Sequence, residues 1–219
     1  MSGEGAGTTG GAGTDRQESF LQNSRGTVVD KFGVWLSGWQ IRRHVPSFTG
    51  KRVGDFGCGY QAAFARTILG DVAGAVLVDV ALADDLKRDP RVQAIEGQLP
   101  EALAALPAAS LDVVMIVSVL EHVREPQRLL AEGRRLLAPD GVLLVNVPSW
   151  RGKKYLELSA FKLGLSPAAE MDDHKMYYDV KDLWPLLVGA GFRPSRITCF
   201  SHKLGLNTFA VCRREGDAA

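Results

Sequence analysis

The stretch from Lys51 to Asp79 constrains the fold of this chain more than any other. It reads Lys51-Arg52-Val53-Gly54-Asp55-Phe56-Gly57-Cys58-Gly59-Tyr60-Gln61-Ala62, then a helix-like run, then Gly74-Ala75-Val76-Leu77-Val78-Asp79. A short apolar strand enters a glycine turn, the turn opens a helix, and a second strand ends in an acid. Gly57 and Gly59 lack a Cβ, so the backbone can turn tightly there and come close to a ligand. A helix beginning near Tyr60 would aim its free N–H groups at the same spot. Asp79, at the carboxyl end of the second strand, is placed to accept hydrogen bonds from both hydroxyls of a ribose. An α/β sheet cradling a nucleotide-type cofactor satisfies all of these together.

The glycines alone leave the cofactor open. Gly57-x-Gly59-x-x-Ala62, with an acid about 20 residues on, also meets the loose dinucleotide fingerprint and fits NAD as well as S-adenosylmethionine. Asp55 tilts the choice. It stands two residues before Gly57, at the carboxyl end of the strand and facing the crevice. A carboxylate there would repel a pyrophosphate, whereas it suits a cofactor that carries an ammonium and a sulfonium.

A chain of 219 residues suits one α/β domain with a full core and a short appendage. With 46% hydrophobic and 23% charged residues it has the make-up of a soluble globular protein. A net charge of +1 gives no overall pull toward nucleic acid or an anionic membrane. Cys58, Cys199 and Cys212 have no paired spacing, so neither a disulfide framework nor a zinc site is expected. No signal peptide is visible, and apolar runs such as Val113 to Leu120 are too short to span a bilayer. The expectation is a soluble, cytoplasmic protein.

Residues 1–14 are nearly all Gly, Ser, Thr and Ala and are expected to be disordered. Residues 15–50 read as an N-terminal helical cap, with Phe32, Trp35 and Trp39 in its apolar set. Gly26, Gly33 and Gly38 favour two short helices over one long one. The three aromatics read as core, with a lid over the cofactor as the functional alternative, and Arg42, Arg43 and His44 as a solvated face. From residue 51 to 214 strands alternate with helices. Strands are expected at Arg52 to Phe56, Ala75 to Val80, Val92 to Ile95, Leu111 to Val117 and Val142 to Val147. Helices are expected at Gln61 to Leu69, Ala83 to Lys87, Glu101 to Ala105 and Pro126 to Leu137. Strands this uniformly apolar imply a parallel sheet covered on both faces, with the carboxyl ends of the strands on one edge. After a helix at Val180 to Val188 come strands Ser195 to Phe200 and Asn207 to Arg213. About six residues join them, too few for a parallel crossover, so this pair is antiparallel. The fold class is α/β: a doubly wound, mostly parallel seven-stranded sheet with an antiparallel last strand, Rossmann-like.

Asp55-Phe56-Gly57-Cys58-Gly59 resembles the first motif of class I S-adenosylmethionine-dependent methyltransferases, and Asp79 the acid of their second. Ile95-Glu96-Gly97-Gln98-Leu99-Pro100 looks like the segment after strand three that holds the adenine, with Gln98 where an acid, Ser or Thr is usual. Leu111-Asp112-Val113-Val114-Met115-Ile116-Val117-Ser118-Val119-Leu120-Glu121-His122-Val123 is similar to the strand-four motif of the small-molecule branch. Leu136 to Val145 matches the helix-turn-strand that follows. The resemblance covers about Lys51 to Arg213 and implies S-adenosylmethionine as cofactor. Asp55, Gly57, Gly59 and Asp79 would hold it, with Gly97, Gln98, Leu99 and Ser118.

The chemistry asks for a nucleophile aligned with an activated methyl, water excluded, and a base where the nucleophile is a hydroxyl. His122, just past strand four on the cofactor edge, titrates in a useful range; packing against the backbone is its alternative role. Glu121 reads as an exposed acid, or as the group that orients His122. The segment Asp172-Asp173-His174-Lys175-Met176-Tyr177-Tyr178 offers His174 as a second base and the tyrosines as a substrate wall, against a plain solvated loop. No metal is expected, since consecutive positions such as Asp172, Asp173 and His174 rarely converge and no histidine pair has ligand spacing. Arg151, Lys153 and Lys154, ahead of an apolar face, suggest a cover that grips an anionic or lipid-linked substrate. The expected activity is methyl transfer to a hydroxyl or amine of a small molecule, such as a sugar, lipid-linked sugar or natural-product intermediate. A non-catalytic cofactor-binding scaffold and an NAD(P) oxidoreductase are the alternatives. No nucleic-acid partner and no transmembrane segment are expected, and a homodimer is compatible with the sequence.

Overall fold

The computed structural model describes residues 18–20, 22, 28–157 and 175–216. Helix α1 (Val28–His44) precedes β1 (Arg52–Phe56), α2 (Ala63–Arg66), β2 (Gly74–Asp79), α3 (Asp84–Arg88) and β3 (Val92–Glu96). A 3-10 turn at Glu101–Leu103 leads to β4 (Leu111–Val117), α4 (Pro126–Leu136), β5 (Leu137–Pro148) and α5 (Trp150–Glu157). Helix α6 (Val180–Gly189), β6 (Ile197–His202) and β7 (Asn207–Arg213) complete the described chain.

The strands form one sheet in the order β3-β2-β1-β4-β5-β7-β6. Strands β1 to β5 are parallel, and β7 runs antiparallel to both β5 and β6. Alternate residues on the same strand feed two cores. Val114, Ile116, Leu143 and Val145 pack with Leu129 and Leu183 on one face, while Val113, Met115 and Leu144 pack with Ile41, Ile68 and Phe209 on the other. This explains why the strands are apolar without a break. Helix α4 shows the matching pattern, burying Leu129, Leu130, Gly133 and Leu136 at helical spacing behind Pro126 in its first turn. Chain order reverses between β2-β1 and β1-β4, so the crevice at the switch point opens at the carboxyl ends of β1 and β4.

Several local expectations are corrected. Among the described residues, the N-terminal region holds one helix of 17 residues that runs unbroken through Gly33 and Gly38, rather than two short ones. Gly38 lets it pass close to α2, where a Cβ would come within 3.1 Å of the Phe64 ring. Phe32, Trp35 and Trp39 are not core: they are 57%, 61% and 50% exposed, while Ser37, Gln40 and Ile41 face inward. The helix after the glycine turn is only Ala63–Arg66, the expected helix at Glu101 is a 3-10 turn, and β5 begins at Leu137 rather than Val142. None of the described helices is long and apolar enough to cross a membrane.

Candidate active site

The chain leaves β1 at Phe56 and enters two glycines that both have φ of 74°. The Gly57 N–H donates to the Val78 carbonyl at 2.7 Å, which ties the turn to β2. A Cβ on Gly57 would lie 2.3 Å from the Val119 side chain, so glycine is required there by space as well as by φ. Helix α2 is a single turn, so the glycine turn and Asp79 stand here without the long helix N-terminus that the sequence suggested.

Asp79 ends β2 and is nearly buried. One carboxylate oxygen accepts the Gly59 N–H at 2.8 Å, and the other accepts the Val80 N–H at 2.8 Å. That second oxygen also meets the Ser19 hydroxyl. Ser19 lies within 2.6 Å of the Ala81 carbonyl and accepts the Ala81 N–H at 3.0 Å, while the next carbonyl, of Phe20, accepts the Tyr60 N–H at 3.1 Å. A segment 60 residues away in sequence thus sits on the glycine turn with a hydroxyl on the very carboxylate assigned to a ribose.

Asp55 lies beneath the turn. Burial and the neighbouring charge of Asp79 push its carboxyl up to about 7. The same surroundings push the Cys58 thiol up, burial first and then the charges of Asp55 and Asp79.

A cavity of ≈ 290 Å³ opens beside Asp79. Its wall includes Gly57, Asp79, Gly97, Gln98 and Leu99 from the first three strand ends, and Val119, His122 and Lys175 from the opposite side. The Gly97 N–H donates to the Asp79 carbonyl at 2.9 Å, which holds β3's exit against β2's. Of the sequence-predicted residues, Gly57, Asp79, Gly97, Gln98, Leu99 and His122 therefore share one wall. Gly59 stands beside it under Phe20. Ser118 has φ of 55° and donates to the Asn146 carbonyl at 2.7 Å, outside the wall. His174, Asp172 and Asp173 lie outside the described residues.

The far side of the cavity is held by backbone contacts. The His122 N–H donates to Val119 at 2.9 Å, the Lys175 N–H donates to the Glu121 carbonyl at 2.7 Å, and the Lys175 ammonium donates to the His122 carbonyl. Glu121 is 1% exposed, which corrects its reading as a surface acid. Its charge opposes the burial that brings the Lys203 ammonium down to about 8. Burial, with the charge of Glu121 added, pushes the Tyr178 phenol up to about 12. Tyr178 belongs to the core, and its hydroxyl points to the Leu120 carbonyl at 3.5 Å, so it is no substrate wall. Asn146, fully buried on β5, donates to the Ser37 hydroxyl at 3.3 Å and so pins α1 to the sheet. Ser19, Lys175, Lys203 and Asn146 were not singled out by sequence as site residues. Only Lys175, beside His174, carried a signal.

A family profile described as "Methyltransferase domain" matches residues 54–145. The chain is 28% identical over 171 residues to a "Probable S-adenosylmethionine-dependent methyltransferase" of Mycobacterium tuberculosis, covering 75% of this chain and 57% of that one. It spans little more than half the length of that relative. It is 32% identical over 172 residues to a "Ubiquinone biosynthesis O-methyltransferase" of Idiomarina loihiensis, covering 63% of this chain and 68% of the relative. Among solved structures, a SAM-dependent methyltransferase from Archaeoglobus fulgidus superposes with a TM-score of 0.58 at 16% identity, over 86% of this chain and 100% of that one. One from Mesorhizobium loti does so at 0.59 and 16%, over 81% and 98%. At these identities the likeness is one of fold.

Proposed function

The chain belongs to the class I S-adenosylmethionine-dependent methyltransferases, and on that premise we propose that it transfers a methyl group to a hydroxyl of a small molecule. An amine is the alternative acceptor, and a sugar, a lipid-linked sugar or a natural-product intermediate the acceptor class. The observation that carries this reading is the shared cavity, in which Asp79 and the Gly97–Leu99 backbone face His122 across one space. The Idiomarina relative's name, an O-methyltransferase, supports a hydroxyl acceptor.

The residues present fit the cofactor. Gly57 admits a ligand where a Cβ could not be accommodated, and the Asp79 carboxylate is of the kind that takes a ribose diol. Gly97, Gln98 and Leu99 would flank the base. Asp55 would supply negative charge beneath a cationic head. When bound, S-adenosylmethionine supplies a sulfonium methyl already activated for displacement.

The chain's own part is to align, to shield and to take a proton. His122 lines the cavity and its Nδ1 is buried, so this reading gives the acceptor to Nε2. In this proposal Nε2 removes the hydroxyl proton as the oxygen attacks. Lys175 steadies that histidine through its carbonyl. Calorimetric titration with S-adenosylhomocysteine, with NADH in parallel and Asp79→Ala as control, tests the cofactor half. Micromolar binding of the first alone, lost in the variant, is expected. Binding of NADH instead would overturn the reading.

A further inference from the structure

Helix α1 is built inside out for a helix on a soluble core. Its inward face carries Ser37 and Gln40, each about 5% exposed or less, while Phe32, Trp35 and Trp39 point outward at half exposure or more. These three stand at i, i+3 and i+7, which is one face of a helix. Phe32 and Trp35 stack with ring centroids 5.7 Å apart. The row ends in Arg43, whose guanidinium lies 5.6 Å from the Trp39 ring, and in the exposed Arg42. No acidic residue occurs from Phe32 to His44.

The β6–β7 turn adds a second feature. Lys203 and Leu204 both adopt positive φ, 49° and 58°, and Leu204 is 92% exposed. A bulky residue in the left-handed region is costly, and Leu204 adopts it while standing almost wholly in solvent. The Lys203 ammonium lies 3.8 Å from where a Gly33 Cβ would be, so this turn sits beside the first turns of α1. The β6–β7 turn and the N-terminal part of α1 therefore lie close together. Both are at the edge where β5 and β6 end, the edge that carries the cavity.

We propose that the outer face of α1, with the tip of the β6–β7 turn, docks on an anionic lipid bilayer. Indole rings are amphipathic and favour the headgroup level, where apolar body and polar N–H are both satisfied. Arginines flanking such a row reach for anionic headgroups, with no acid on this stretch to repel them. The area argues against a second protein chain. Three aromatics of roughly 150–250 Å² each, half exposed or a little more, and one leucine offer roughly 400–570 Å², short of the roughly 800 Å² per partner of a standard interface. An interfacial helix needs only its apolar side buried shallowly. The proposal does not depend on methyl transfer.

The test is flotation of the full chain with vesicles of pure phosphatidylcholine and of phosphatidylcholine mixed with phosphatidylglycerol, at low and high salt. Wild type should bind the anionic vesicles, with tryptophan fluorescence shifting to the blue, and should release in high salt. Trp35→Ser/Trp39→Ser should cut partitioning at least about tenfold while S-adenosylhomocysteine binding and the melting temperature hold. Arg42→Glu/Arg43→Glu should abolish the preference for phosphatidylglycerol. Wild type that floats with neither vesicle, or a double tryptophan variant that floats as wild type does, would overturn the proposal. So would a concentration-dependent dimer lost in Trp35→Ser/Trp39→Ser without vesicle binding, because the face would then belong to a second copy of the chain.

Discussion

The two sides of the cavity are built by different means. On the Asp79 side, backbone does most of the work: Gly57 and Gly59 turn at φ of 74°, and the exits of β1 and β3 are tied to β2 by N–H hydrogen bonds to the Val78 and Asp79 carbonyls. On the His122 side, segments far apart in sequence meet. His122 follows β4, and Lys175, more than 50 residues further on, donates to its carbonyl. A site of the first kind depends on a few backbone angles, and a site of the second on tertiary contacts. The first can serve one cofactor across many proteins, while the second is free to change with the acceptor.

Substitutions should therefore separate the two sides. The largest effect is expected from His122→Ala: a fall in kcat of about 10²–10⁴ with a hydroxyl acceptor and an unchanged Kd for S-adenosylhomocysteine. Single-turnover rates beside calorimetry would read both. A comparable loss of cofactor affinity would mean that the two sides are one unit.

Next comes Gly57→Ala, which meets the Val119 side chain and a left-handed φ together. It should cost about 3 kcal/mol and lower the melting temperature by roughly 10 °C. Gly50→Ala is the matched control, since Gly50 has φ of 68° but nothing within 4 Å of an added Cβ. It should cost only about 1–2 kcal/mol. Equal losses would show that φ alone, and not the closeness of Val119, makes the turn demanding.

The same contrast marks what could be read from sequence. Strand β1 lies at Arg52–Phe56 as expected, and β2 is displaced by one residue, because short-range spacing sets both. The apolar set of α1 was visible, but periodicity does not say which face is covered. Asn146 on β5 donates to Ser37, and Gln40 pairs with His44 on the same buried side, so these polar residues turn inward and the aromatics turn out. Glu121 reads as a surface acid in a string, yet β4's exit carries it into the interior. Ser19 had no local signal at all, since its partner Asp79 is 60 residues on.

Charge beneath the turn offers a third test. The folded Asp55 carboxyl keeps its proton up to about pH 7, whereas an unfolded one loses it near the ordinary value of 3.8. Between these values the folded state binds the extra proton, so the cofactor-free protein loses stability as pH rises through that window. A melting temperature lower by on the order of 5 °C at about pH 8 than at about pH 5 is expected, and Asp55→Asn should flatten the difference. A cationic ligand favours the ionised carboxylate, so its affinity should rise with pH toward neutrality in wild type and not in the variant. Equal pH slopes in both would assign the effect to another group.

The smallest effect, and the one that bears most directly on how the Asp79 side opens, belongs to Ser19. Its hydroxyl meets the same Asp79 oxygen that accepts the Val80 N–H, and the Phe20 carbonyl covers Gly59 through the Tyr60 amide. A ribose hydroxyl approaching Asp79 would have to displace or share that contact. Removing the serine hydroxyl removes a competitor that is one neutral group bonded to a carboxylate. One hydrogen bond contributes about 0.5–1.5 kcal/mol net, so Ser19→Ala should tighten S-adenosylhomocysteine binding by roughly 2- to 10-fold. The gain should appear mainly in a faster on-rate, since the segment must move before the ligand can reach the carboxylate. Weaker binding in Ser19→Ala would carry the opposite message: the segment would then be part of the cofactor's own wall, and this side would share the long-range construction of the His122 side.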